Sequence, residues 1–257
     1  MHDSENLILC YPQKGLRNPR SLIESLVVGD YEEVWRRFAV AGELEFGGHT
    51  DPSWRHGHAT SASFIVRVDA RRMRERLDPI RRALGRFPFV SLHPDHFMHI
   101  TLLMLGFPVQ TPRRKGEISH ARLRELETRA RTTLSRVRPF RVRLANLNAF
   151  PSAAFIEAHP EGGLERLQEL LSVGCGMRRP AGPPHLTLAY FHAPDGTRAP
   201  VELIEVLERF REWPVGEVWV KEVELSLLDL RAPYPKPRVL ASIPLGGHTP
   251  SFTLAEP

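Results

Sequence analysis

Residues 97–106 read FMHITLLMLG, and residues 183–191 read PPHLTLAYF. Each holds His-x-Thr-Leu inside an apolar run. In a strand, side chains two apart share a face. His99 and Thr101 therefore present an imidazole and a hydroxyl side by side, with Ile100, Leu102 and Met104 on the other face. The same parity sets His185 and Thr187 against Leu186, Leu188 and Tyr190. One such pair in a strand is ordinary and usually structural. The second copy is what requires explanation.

The flanks repeat as well. SFIVRVD, a helix and HITLLMLG form one copy; AAFIEAHP, a helix and HLTLAYF form the other. Phe64 to His99 spans 35 residues and Phe155 to His185 spans 30, with the two His 86 apart. This repeat predicts an α+β fold that is duplicated and bilobal. Two antiparallel-rich sheets flank a central cleft, helices lie outside, and the cleft is the natural site.

Alternation and turn residues place strands at 61–69, within 89–107 around a Pro-Asp turn, at 139–151, 153–160, 184–192, 215–230 and 237–245. Apolar periodicity places helices at 19–28, 30–41, 70–87, 116–137, 162–174 and 198–213, the third interrupted at Asp78-Pro79. Residues 42–58 read as a Gly- and His-rich loop. The expected organisation is a 1–58 extension, a 59–247 domain of two lobes and a 248–257 tail.

Hydrophobic residues at 42% and charged residues at 25% of 257 are ordinary for a soluble globular chain, with ample length for a core. No apolar run of about 18 residues exists, so no transmembrane helix is expected. The start lacks the layout of a signal peptide, so a cytoplasmic location is expected. Two cysteines, Cys10 and Cys175, are too few for a disulfide framework or a zinc module. The net charge is +5, and 31 of the basic residues are Arg against 4 Lys. The planar guanidinium suits phosphate, so the charge leans slightly toward an anionic ligand.

If the two motif strands face each other, two imidazoles and two hydroxyls converge. That set suits phosphoester chemistry. A neutral imidazole can take a proton from water or a ribose hydroxyl, and a protonated one can give a proton to the departing oxygen. The Thr hydroxyls can donate hydrogen bonds to non-bridging phosphate oxygens.

These residues carry a family resemblance. HPDHFMHITLLMLG, PFRVRLANLNAFPSAAFIEA, PPHLTLAYF and VKEVELSLLDL resemble the two-histidine (2H) phosphoesterase superfamily, in its 2′-5′ RNA ligase-like or RNA 2′,3′-cyclic phosphodiesterase (LigT-like) branch. The resemblance runs over about 59–247. It implies metal-independent opening of 2′,3′-cyclic phosphates, without a cofactor, on RNA termini or a small nucleotide. His99, Thr101, His185 and Thr187 carry over as the catalytic set. Run backwards, the same chemistry joins a 2′-hydroxyl to a cyclic phosphate. Relatives in this branch often have Arg where this chain has Tyr190, and strand parity points Tyr190 away from His185. A hydrolase of oligonucleotide second messengers and a non-catalytic nucleic-acid-binding module are the alternatives.

Further candidates surround the motifs. Arg178 and Arg179 precede the second one and could hold phosphate. Phe97 and Phe191 share the parity of His99 and His185 and could line the cleft or stack on a base. Tyr234, in APYPKP, sits on a loop that could reach the cleft. His93, His96 and His99 are spaced by three, and His49, His56 and His58 form a second cluster. Turn, strand and loop contexts keep either from converging on a metal. Seven Arg on the 70–87 helix read as a solvated face or, more sharply, an RNA track. The chain is expected to be a monomer with no membrane partner.

Overall fold

The computed structural model describes residues 30–159 and 163–247. The expected 19–28 helix, Cys10 and the 248–257 tail lie outside the described residues. In chain order the elements are α1 (Tyr31–Ala41), β1 (Glu43–Phe46), α2 (Pro52–Arg55), β2 (Thr60–Arg67) and α3 (Arg74–Leu84). β3 (Val90–Leu92), β4 (His99–Val109), β5 (Glu117–Ser119), α4 (His120–Leu134), β6 (Phe140–Phe150) and β7 (Ala153–His159) follow. The chain continues through α5 (Gly163–Cys175), β8 (His185–Arg198), α6 (Val201–Arg209), β9 (Pro214–Val220), β10 (Glu222–Asp229) and β11 (Arg238–Pro244).

The strands form one curled sheet in the order β11-β10-β2-β4-β8-β7-β6-β9. Its halves, β11-β10-β2-β4 and β8-β7-β6-β9, are the two lobes, and every pairing along that path is antiparallel. The lobes join where β4 meets β8, at the pair Ile100↔Leu186. The stretch 215–230 is two strands. β9 edges the second lobe, and the chain then crosses back so that β10 pairs β2 in the first.

The convex face is the core. Phe64, Ile100, Leu102, Leu186 and Leu188 are fully buried there with Leu77, Ile80 and Leu84 of α3 and Leu126, Leu167 and Leu171 of α4 and α5. Each such side chain contributes about 1.5–3 kcal/mol of burial. α4 and α5 pack on each other and against β4, and α3 packs against β9 and α6. Helices of each lobe therefore brace strands of the other.

α3 runs through Pro79 without the expected interruption. Pro79 removes one N–H from the ladder, and the buried face of Leu77, Ile80 and Leu84 holds the helix together regardless. The break falls earlier, at the junction with a 3-10 turn over Ala70–Met73. Several Arg of this helix are paired with acids: Arg71 and Arg72 with Asp69, Arg74 and Arg81 with Asp95.

The segment 30–58 is woven into the sheet. β1 pairs with the far part of β8, Glu43↔Arg198 to Phe46↔His192. The Tyr31 hydroxyl lies within hydrogen-bond reach of both the Ala158 and Pro184 carbonyls, its one proton shared between them, and accepts from Ala158 N–H. Glu32 pairs with Arg211. Among the described residues no helix is long and apolar enough to cross a membrane.

Candidate active site at the seam of the two lobes

Ile100 and Leu186 point into the core with no exposure. Antiparallel continuation of their pair sets His99 beside Thr187 and Thr101 beside His185 on the opposite, concave face. All four side chains are half-buried. The sheet thus brings the two repeated pairs together as an interleaved square.

Each imidazole is held in the same way. His99 Nδ1 lies 2.6 Å from the Phe97 carbonyl, and His185 Nδ1 lies 2.8 Å from the Pro183 carbonyl. A carbonyl only accepts, so each Nδ1 carries the hydrogen. Each Nε2 is left as the working nitrogen, able to accept a proton or, when protonated, to donate one. Burial pushes His99 down to about 4, against the opposing Phe97 carbonyl bond and with help from the positive charge of Arg67. Burial lowers His185 as well.

Both motif strands carry a β-bulge just after the Thr. On β8, Thr187 pairs Phe155 and Ala189 pairs Ala154, leaving Leu188 as the extra residue. On β4, Thr101 pairs Ile65 and Leu103 pairs Phe64, leaving Leu102 extra. An extra residue flips the parity of everything beyond it. Tyr190 therefore turns to the face of His185 and Thr187, and Met104 to that of His99 and Thr101. His93 N–H takes the Leu188 carbonyl at 2.8 Å.

The bulge overturns two expectations. Tyr190 faces the concave side instead of the core. Phe191 does the reverse: it is fully buried on the convex side against Phe38 and Phe89, with no surface for a base. Phe97 does adjoin His99, ring centroids 5.4 Å apart, but it too is fully buried. It props the imidazole from beneath and offers no stacking surface. Tyr234 reaches the cleft region and packs on Phe97 at 5.3 Å and His93 at 5.1 Å, its hydroxyl bonded to Ser91. Its backbone is left-handed, φ 50°, an uncommon state for an aromatic residue. Arg178 is exposed and Arg179 half-buried on the loop entering β8.

Two groups, Phe150 and Arg67, went unread in the sequence, and two more, His49 and His93, were weighed there only as members of His clusters that could hold a metal. His93 and His49 are buried beside Tyr190, Phe97 and Tyr234. His49 Nε2 bonds the Ala232 carbonyl, while His49 Nδ1 and His93 Nε2 are buried without a hydrogen-bond partner among the described residues. Phe150 stacks on Phe155 at 4.4 Å and stands edge-on to His185 at 5.0 Å. Arg67 lies directly across from His99 in the β2–β4 register. The last had a signal: alternation in SFIVRVD puts Ser63, Ile65 and Arg67 opposite the core residues Phe64 and Val66. Among the described residues no group of three or more His, Cys, Asp or Glu is placed to hold a metal.

A two-lobed sheet with one His-x-Thr strand from each lobe meeting at its centre defines the class. The family model of the 2′-5′ RNA ligase superfamily matches residues 68–230, and the chain belongs to that superfamily. No curated protein sequence matches the chain significantly. Among solved structures it is similar to TT0787 of Thermus thermophilus, at 23% identity and TM-score 0.55, over 74% of this chain and 100% of that one. It is also similar to E. coli LigT complexed with 3′-AMP, at 19% identity and TM-score 0.52, over 73% of this chain and 98% of that one. LigT complexed with NADP+ gives 20% identity and TM-score 0.52, over 74% and 99%. At these identities the likeness is one of fold. The segment 30–58 lies outside the matched range of the family model.

Proposed function

We propose that the seam is the active site of a cytoplasmic phosphodiesterase that opens 2′,3′-cyclic phosphates on RNA ends or small nucleotides. The observation that carries this reading is the matched locking of His99 and His185. Each is fixed through Nδ1 to a carbonyl two residues upstream, leaving both Nε2 atoms for proton transfer. Membership of the 2′-5′ RNA ligase superfamily and the small nucleotides bound by LigT support it.

In the proposed step, one neutral imidazole accepts a proton from water as the water oxygen bonds to phosphorus. The bond to one ribose oxygen breaks, and the protonated imidazole supplies that oxygen with its proton. Thr101 and Thr187 hydroxyls donate to the non-bridging oxygens as negative charge grows there. Both proton transfers are assigned to imidazoles, so no metal enters the step. The same step with a ribose hydroxyl in place of water joins that hydroxyl to the phosphorus as the ring opens.

The test incubates the protein with adenosine 2′,3′-cyclic phosphate and an RNA ending in a cyclic phosphate, with and without EDTA. Turnover should survive EDTA and fall by about 10²–10⁴ in His99→Ala and in His185→Ala. Loss with EDTA that added metal restores overturns the reading.

A further inference from the structure

The two lobes repeat each other in backbone, yet the side chains that flank the two His differ in charge. The residue paired with His99 across β2–β4 is Arg67, and the residue paired with His185 across β7–β8 is Glu157. Their fates diverge. Glu157 is fully buried and accepts from Asn146, Asn148 and Arg211, with Tyr31 packed nearby on the neighbouring strand ends. Its charge is consumed within the protein. What borders His185 is the aromatic pair Phe150 and Phe155.

Arg67 is ion-paired with Glu224 yet remains partly open, its side chain 31% exposed. Nε and Nη2 donate to Glu224 Oε2 at 3.2 and 2.7 Å, and Nη1 donates to the His96 carbonyl at 3.3 Å. A guanidinium has five N–H groups. Among the described residues two are left beyond these three contacts, one on each terminal nitrogen. Adjacent strands lie about 4.8 Å apart, so Arg67 stands one strand outboard of His99, off the seam where Thr101 and Thr187 meet. Its charge nevertheless reaches the His99 ring.

We propose that Arg67 forms a subsite for a second phosphate group of the substrate, on the His99 flank of the cleft. This rests on the seam being the reaction centre. The ribose geometry fits the two unlike flanks. The base leaves C1′ and the 5′-carbon leaves C4′, at opposite ends of the C2′–C3′ edge that bears the cyclic phosphate. A base directed toward half-buried Phe150, beyond His185, sends the 5′-phosphate toward Arg67. Stacking serves the first end and a charge-assisted hydrogen bond serves the second. The substrate class is then a cyclic-phosphate nucleotide that also carries a 5′-phosphate, as a free monoester or as the internucleotide link of RNA.

The experiment compares kcat/KM for adenosine 2′,3′-cyclic phosphate, its 5′-phosphorylated form and the dinucleotide ApA ending in a cyclic phosphate. The wild type should prefer the two substrates with a second phosphate by about 10-fold or more. The preference should shrink as salt rises. In Arg67→Gln the ratio between substrates should fall to about one, and Arg67→Lys should retain part of it. Preference for the monoester alone or for both forms tells a terminal phosphate from an RNA link. A wild-type ratio of one, or an unchanged ratio in Arg67→Gln, overturns the proposal. If the wild type turns over none of them, the reaction assigned to the seam fails. Calorimetry with adenosine 3′-monophosphate and adenosine 3′,5′-bisphosphate then decides the subsite. Tighter binding of the bisphosphate that Arg67→Lys weakens supports it, and equal affinities in the wild type overturn it.

Discussion

At the scale of single residues, the site is built by fixing two imidazoles through their inner nitrogens. The carbonyls of Phe97 and Pro183 each impose one tautomer, and burial lowers both rings below the ordinary imidazole value of about 6.5. A reaction that needs one neutral and one protonated imidazole has a bell-shaped profile bounded by those two values. With both lowered, kcat/KM should peak below pH 6.5. A bound anionic phosphate favours the charged forms, so the kcat profile should sit higher in pH than that of kcat/KM. Initial rates from pH 4.5 to 8.5 check this, and a kcat/KM maximum above pH 7 would contradict it. The four motif residues were legible because they repeat at strand parity within a repeated frame. Tyr190 and Phe191 were misread because parity holds only while the ladder is regular. Nothing in LTLAYF marks Leu188 as the extra residue; the bulge is set by pairing with a strand some 30 positions earlier. The same counting rule worked for Arg67, whose strand had no bulge between it and Val66.

At the scale of elements, local pattern found the helices and strands whose partners lie in the long periodic stretches. It found β3 but missed β1, α2 and β5, the last of these lying inside the expected 116–137 helix. The stretch 43–58 looks like a loop because β1 has only four residues and pairs with β8 about 150 positions away. Its path over the second lobe is fixed by backbone approach. Gly47 donates to the Phe191 carbonyl at 2.7 Å, and a Cβ on it would lie 1.9 Å from the Ser152 carbonyl oxygen. That oxygen belongs to a backbone already used by Phe191 N–H, so it cannot move aside cheaply. Gly47→Ala should therefore destabilise the fold by roughly 2–4 kcal/mol, in the range of overpacking with a lost hydrogen bond. Gly57→Ala is the control. Its φ of +82° carries strain, but among the described residues nothing lies within 4 Å of a Cβ there, so a cost of only about 1 kcal/mol is expected. Urea unfolding midpoints of the two variants make the comparison. Equal losses would show that the close approach of β1 to Ser152 carries no weight. If the approach does carry weight, Gly47→Ala should also disturb the Tyr190–Tyr234 packing, because His49 follows two residues later on the same segment.

At the scale of the whole molecule, the duplicated architecture draws four imidazoles to one face of the sheet. The concave face gathers His49, His93, His99 and His185, all lowered, with burial the first cause in each. Acids are lowered as well: Glu157, across from His185, against its burial by His159, Arg211 and Asn146; Glu117 and Asp229 to about 2; and Glu33, Asp69 and Glu125 by Arg. The bilobal plan was legible in the repeat, but the convergence of four imidazoles was not, since His49 and His93 arrive from a short strand segment and a turn. The consequence for stability has a definite sign. An imidazole whose folded value lies below its unfolded one binds fewer protons in the native state. Stability then rises with pH wherever the unfolded chain binds more. The contribution of these four groups is complete above about pH 6.5 and is lost as pH falls toward their folded values, for His99 about 4. Each unit of lowering corresponds to about 1.4 kcal/mol. The lowered carboxylates act in a lower window, because their unfolded values lie near 4 and their contribution is lost from about pH 5 downward. Melting temperature should therefore already fall between pH 6.5 and about 5, before carboxylate protonation begins to matter. His93→Gln removes the most deeply buried of the four rings. It should lower the melting temperature at pH 7.5 through lost packing, yet flatten its decline toward pH 4.5. A scan of melting temperature against pH for both proteins reads the two slopes. A flat wild-type profile over that interval, or equal slopes in the two proteins, would show that the imidazoles on this face are not held neutral by the fold.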